Sequence, residues 1–155
     1  MMPPGGGPMA MPGNLASPGA RIVGGLIDVV ILIVINGVVG STIQVESGTK
    51  ITGLPLIGKL AVDIVFLAAD TFYFAYMWSS QGASFGMRPF GFKVRDLATG
   101  QYPTMRKAAL RGFIWVLEVF FTVCLFGAIG WLRQLWDPQK QALHDKIAGT
   151  IVTTS

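Results

Sequence analysis

The apolar residues of this chain fall in three long blocks, not in the alternating or short amphipathic runs of a water-soluble domain. Ala20 to Ile43 is interrupted by charge only at Arg21 and Asp28. A helix needs about 20 mostly apolar residues to cross the hydrocarbon of a bilayer, so this block predicts a spanning helix. Leu56 to Ser80 predicts a second, and it ends in Tyr73, Tyr76 and Trp78, whose amphipathic rings favour the headgroup level. Between the two, Gln44 to Pro55 holds Glu46, Gly48, Lys50, Gly53 and Pro55, which predicts a polar turn and makes the first two segments a hairpin. The third block, Leu110 to Trp136, is 27 residues long and has Gly127 and Gly130 as break points. It either crosses straight or bends at the glycines and returns. Its length favours the straight form, because two full crossings need about 40 residues.

The polar stretches predict smaller elements. In Gln81 to Arg111, Phe92 to Asp96 alternates apolar and charged, and Ala98-Thr99-Gly100 can turn the chain before Gln101-Tyr102, which together predict a small interfacial hairpin. Thr104 can cap a helix carrying Arg106, Lys107 and Arg111. Asp137-Pro138 reads as a helix start and Gly149 as its stop, for a helix of about eleven residues. Thr150 to Thr154 then alternates like a strand that can pair with Phe92 to Asp96. Such pairing puts both on one side of the membrane, which favours the bent third block.

Composition agrees with the pattern. Of 155 residues 52% are hydrophobic and 13% charged, against roughly 25% charged in soluble domains, so the expected class is an all-α membrane protein and its first partner the lipid bilayer. The net charge of +4 reads as topology, and nucleic acid is not expected as a partner. Gln81 to Arg111 holds Arg88, Lys93, Arg95, Arg106, Lys107 and Arg111 against Asp96 alone. The positive-inside rule makes this loop cytoplasmic, and with it the N-terminus, in a multi-pass protein of the plasma membrane. A bent third block leaves only Lys50 and Lys59 outside, whereas a straight one splits the basic residues seven to five. Residues 1–19 contain five Pro, five Gly and no charged side chain, so a disordered tail is expected ahead of a domain over 20–155. This tail lacks the basic start and apolar core of a secretory signal. Cys124 is the only cysteine, which supports neither a disulfide nor a thiolate metal site; no cofactor is expected.

The candidate chemistry lies in acids inside apolar blocks: Asp28, Asp63, Asp70 and Glu118. A charged residue at the centre of a membrane helix costs roughly 2.5–3.5 kcal/mol on insertion scales, so such groups face a partner or water. Arg21 with Asp28, and Arg111 with Glu118, stand seven apart, on one helical face but about 10 Å from each other. Their partners are therefore expected from other segments. Asp63 has Lys59 at i,i+4 as an interfacial partner, and Asp28 can reach a loop Arg or a backbone donor. Arg133 and Asp137 form a further i,i+4 surface pair. Gly82-Ala83-Ser84-Phe85-Gly86 matches the nucleophile elbow of hydrolases, but that motif needs a preceding strand and a membrane segment precedes it here, so a flexible turn is the expected use. His144, beside Asp145 and Lys146, can accept a proton near neutral pH or serve as a cap.

These residues together resemble the RDD family of small prokaryotic membrane proteins. The resemblance covers Ala20 to Val152 and rests on Arg21 with Asp28, on Gly82-x-Ser84-x-Gly86 ahead of Val94-x-Asp96, and on His144-Asp145-Lys146-x-Ala148-Gly149-Thr150. The family is named for one Arg and two Asp, which it places here at Arg21, Asp28 and Asp145. Many members have Lys after the second loop glycine, where this chain has Met87, followed by Arg88. The resemblance implies transport of an unspecified ligand. The expected protein is non-enzymatic: Asp28, with Asp70 and Glu118, binds a proton or cation, and Arg21 and Asp145 gate or stabilise the cytoplasmic side. Three segments are too few to enclose a pathway, so this reading requires a homo-oligomer. The alternative is an accessory subunit that sets the same acids against other membrane proteins.

Overall fold

The structure is a computed structural model that describes residues 14–47, 56–122 and 126–154. Two long helices, α1 (Pro18–Ser47) and α2 (Leu56–Ser80), dominate it. Within them Pro18–Ser41 and Gly58–Ser80 are long and apolar enough to cross a membrane. α1 runs on through Gln44 and Glu46, beyond the expected turn start, and Gly48, Lys50, Gly53 and Pro55 lie outside the described residues. At about 1.5 Å per residue, 30 residues make α1 about 45 Å long, more than a hydrocarbon core. Its outer half carries exposed Val30, Ile33, Val34 and Val38, and α2 carries exposed Ile64 and Val65.

The third block bends. It divides into α3 (Met105–Thr122) and α4 (Phe126–Leu132), a seven-residue helix folded back on α3. The glycines explain the close return: a Cβ at Gly127 would stand 1.8 Å from the Glu118 carbonyl oxygen, and one at Gly130 would stand 2.6 Å from Glu118 Oε1. Of the two forms left open by the sequence, the bent one is the form present. Among the described residues there are two helices of spanning length and a third segment in two pieces. Cys124 lies outside the described residues.

A small sheet closes the same end of the molecule. β1 (Phe92–Asp96) pairs antiparallel with β2 (Thr150–Thr154), Val94 opposite Val152 and Asp96 opposite Thr150. The strand partner of β1 is therefore the chain terminus; Gln101-Tyr102 is not a strand, although the Gln101 carbonyl accepts from the Asp96 N–H at 2.8 Å. Ordered pairing also begins ahead of the Ala20 boundary. The Ala16 N–H donates to Val152 at 3.0 Å, and Asn14 Nδ2 to the Thr154 carbonyl at 2.7 Å. Residues 1–13 lie outside the described residues.

The C-terminal helix is shorter than its start signal suggested. α5 covers only Leu143–Ala148. Asp137 forms a turn instead, its Oδ2 accepting the N–H groups of Gln139 (3.0 Å) and Gln141 (3.2 Å) and its Oδ1 pairing with Lys146 Nζ at 2.8 Å, not with Arg133. Gly149 stops α5 with φ +64°, a left-handed conformation that glycine adopts without penalty.

The core lies between α2, α3 and the sheet. Phe74 stacks on Trp78 at 4.7 Å and meets Trp115 at 4.5 Å, with Ala75, Ala108, Val94, Phe92 and Val152 buried around them. α2 and α3 touch closely because Gly112 faces Thr71 and Phe74; a Cβ there would stand 3.0 Å from Phe74 Cβ. Gly127→Ala should separate α4 from α3 and destabilise the protein by about 1–3 kcal/mol or more, as overpacking does. Gly37→Ala, in open space on α1, should be neutral or stabilising. Thermal unfolding of both variants in detergent checks this pair.

Candidate functional site

Where α1, α3 and the C-terminal cap meet, one carboxylate joins all three. Asp145, on α5, is fully buried and has Arg21 of α1 and Arg111 of α3 on either side. Arg21 Nη2 donates to Asp145 Oδ2, and its Nη1 donates to the Lys140 carbonyl. Arg111 Nη2 lies 2.8 Å, and its Nε 2.9 Å, from Asp145 Oδ1. The Ala142 N–H at 3.1 Å and the Thr150 hydroxyl at 3.4 Å also donate to the carboxylate. Arg111 is itself 2% exposed, and its guanidinium lies 3.9 Å from the Trp78 ring centre, a cation–π contact that gives it a second favourable face.

The charges of this cluster explain its electrostatics. Burial alone pushes the Asp145 carboxyl up, but Arg21 foremost, then Arg111 and His144, hold it far below the usual carboxylate range. The cluster extends through the next residue. His144 Nδ1 lies 2.6 Å from Glu118 Oε2, both groups buried, so the bend of the third block places Glu118 against the cap instead of the surface.

Asp28 is seated separately. It is 3% exposed, and it accepts from the Ser84 hydroxyl at 2.5 Å and the Gly86 N–H at 2.8 Å. Of the two partners expected for it, the backbone donor is the one present. The Gly82–Gly86 segment forms a turn that also holds the carboxylate of Asp28. Gly24 and Gly86 permit the approach: a Cβ at Gly86 would stand 2.1 Å from the Gly24 carbonyl oxygen. A chamber of about 40 Å³ joins the two parts, walled by Arg21, Asp28, Trp78, Arg111, Trp131, Gln134 and His144 among others.

Of the residues singled out from sequence, Arg21, Asp28 and Asp145 stand around this junction, and Glu118 reaches it through His144. Asp70 does not. It is half-buried near the middle of α2 and accepts from Asn36 Nδ2 of α1 at 3.0 Å. Asp63 is exposed, and among the described residues no ion pair joins it to Lys59. Sequence reasoning missed Arg111 as the second arm of the clamp, and with it Trp78 and Gln134. The available signal was a basic residue at the edge of an apolar block, seven residues ahead of Glu118. Met87 is buried beside the chamber, whereas Arg88 is exposed and donates to Gln81 Oε1, so Arg88 does not bring a cation to the chamber in place of Met87. Among the described residues no three acidic or histidine side chains converge as metal ligands.

Two apolar helices of spanning length, the first of them tied to α3 and the cap by a buried ionic cluster, suggest a helical protein of membrane type. A family model described as the RDD family matches residues 15–149, nearly the whole chain, and the protein belongs to that family. No curated protein and no solved structure matches it.

Removing one partner of a buried ion pair costs about 3–5 kcal/mol, because the other charge is left without compensation. Asp145→Asn should therefore destabilise the protein by that order, and Asp96→Asn, whose partner Lys107 is partly exposed, by much less. The pH dependence follows from the direction of the Asp145 shift. A carboxyl that binds its proton less readily in the folded state contributes stability that is complete above about pH 4 and is lost as pH falls through the lower folded value. Unfolding midpoints measured between pH 3 and 8 should be flat above about 4 for this contribution, and Asp145→Asn should make the acid-side decline shallower, leaving the shares of Asp96 and Asp137, whose carboxyls are also held low.

Proposed function

We propose that this protein is a non-enzymatic, multi-pass membrane protein of the transport type, in which Asp28 exchanges a proton within a self-associated assembly. The observation that carries this reading is the seat of Asp28: a buried carboxylate inside an apolar helix, held by two neutral donors and facing a polar chamber. A carboxylate paired to a fixed cation would be locked in its charged form. One held by a hydroxyl and an amide can take up and release a proton, and membrane carboxylates in such seats mark proton paths.

The second carboxylate has the opposite character. Asp145, between two guanidinium groups, stays charged and closes the cytoplasmic end by tying the cap to α1 and α3. Glu118 and His144 form a further buried hydrogen-bonded pair beside it. With the third block bent, Arg21, the basic loop and the C-terminal residues Arg133, Lys140 and Lys146 fall on one side, which supports cytoplasmic placement of both termini in the plasma membrane. Two long helices and a bent segment do not enclose a path. The exposed apolar faces of α1 and α2, and the half-buried Asn36–Asp70 pair between them, favour association with further copies in the bilayer.

Asp28→Asn keeps shape and removes the titrating group. In proteoliposomes the variant should lose proton flux while the gently extracted assembly keeps its mass. Undiminished flux would contradict the role of Asp28. Loss of the assembly itself would favour the accessory-subunit reading, in which Asp28 holds a protein interface together. A cysteine at Ser155 should react with a membrane-impermeant thiol reagent only after permeabilisation, and one at Ser47 without it. Labelling of Ser155→Cys in intact cells would overturn the topology.

A further inference from the structure

The chamber between Asp28 and Arg111 is walled by residues that carry buried polar atoms bonded to no other group of the protein. Among the described residues these include Arg111 Nη1, Trp78 Nε1, Trp131 Nε1 and Gln134 Oε1, all on residues that wall the chamber. Arg111, Trp78 and Gln134 are each more than nine-tenths buried. A buried polar group without a partner costs about 1–3 kcal/mol, so four in one place mark a site that something polar completes.

We propose that this chamber binds a cluster of two or three water molecules that bridges Asp28 to Arg111 and His144. The volume fits: about 40 Å³ exceeds the roughly 10–15 Å³ that one buried water requires. The hydrogen-bond count also closes. Two joined waters offer three lone pairs beyond their mutual bond, one each for Arg111 Nη1, Trp78 Nε1 and Trp131 Nε1. Their remaining protons reach Gln134 Oε1 and the free lone pairs of Asp28, which has already accepted from Ser84 and Gly86; a third water brings one further donor and one further acceptor, which extend the cluster to the His144 wall of the chamber. A small anion would satisfy the three donors but would leave Gln134 Oε1 unpaired and lie against the Asp28 carboxylate. A metal cation would face two guanidinium groups. Water, which donates and accepts, fits both kinds of wall.

The transport consequence rests on the function proposed above: such waters give protons a hydrogen-bonded route between Asp28 and the His144–Glu118 pair. Hydration itself does not depend on that function. The test is water-edited solid-state NMR on the full chain in lipid bilayers, with the exposed indole of Trp136 as a reference. Magnetisation should pass from water to the indole N–H groups of Trp78 and Trp131 and to the Arg111 guanidinium. Trp131→Phe, which keeps a ring and removes one donor, should reduce transfer at Trp78 and Arg111. A dry chamber, with transfer seen at Trp136 and absent at Trp78 and Arg111, would overturn the proposal, as would transfer at Trp78 and Arg111 unchanged by Trp131→Phe. Displacement of these signals by bromide would identify a small anion and overturn it equally. Water transfer at the chamber together with intact flux in Asp28→Asn would retain the water site and reject the transport role.

Discussion

The rest of the structure depends on a single anion placed between two cations in the interior. Asp145 carries one negative charge at full burial, and Arg21 and Arg111 approach it from two different helices. Without both, a buried carboxylate would be strongly unfavourable; with both, three elements distant in sequence acquire one fixed relation. The packing of α4 on α3 across Gly127, the return of β2 to β1 and the position of Arg21 at the mouth of α1 are the conditions under which this contact forms. Arg–carboxylate geometry adds direction as well as energy, since each guanidinium offers a rigid fork of donors.

The two carboxylates nearest the junction divide the work by their neighbours. Asp145 is held by charge and is suited to structure. Asp28 is held by a hydroxyl and a backbone amide, and it is the carboxylate to which the proposed function gives the exchange. Glu118 and His144 link the two environments through the helical return that brings Glu118 beneath the cap. The glycine contacts are part of the same arrangement: Gly24 against Gly86 sets the depth of the Asp28 seat, and Gly127 against Glu118 sets the return of α4.

Much of this was legible from residue order, for definite reasons. Long apolar blocks report spanning helices, because bilayer thickness imposes a length. The i,i+7 spacing of Arg21 and Asp28 excluded pairing within one helix and pointed to partners elsewhere, which are Asp145 for one and Ser84 with Gly86 for the other. The alternation of Thr150 to Thr154 allowed its pairing with Phe92 to Asp96. What sequence left open were the outcomes of tertiary competition. Block length could not reveal the bend, because glycine permits close return but does not require it. Asp137-Pro138 carries a helix-start signal, yet its carboxylate is taken by loop amides and Lys146, and the helix begins at Leu143. Arg111 resembled any basic residue at the edge of a span, and only the fold shows that it faces inward. Asp70, equal to Asp28 by depth in its block, lies with Asn36 away from the junction.

The most direct test of this account is a double-mutant cycle between Arg21 and Asp145, built from Arg21→Gln, Asp145→Asn and the pair, with unfolding free energies measured in lipid or mild detergent. If Asp145 is the shared anion of the fold, the double variant should be scarcely worse than Asp145→Asn alone, with a coupling well above the roughly 0.3–0.5 kcal/mol within which independent sites add. Additive losses would contradict it, and would mean that Arg21 and Asp145 stabilise the protein through separate contacts.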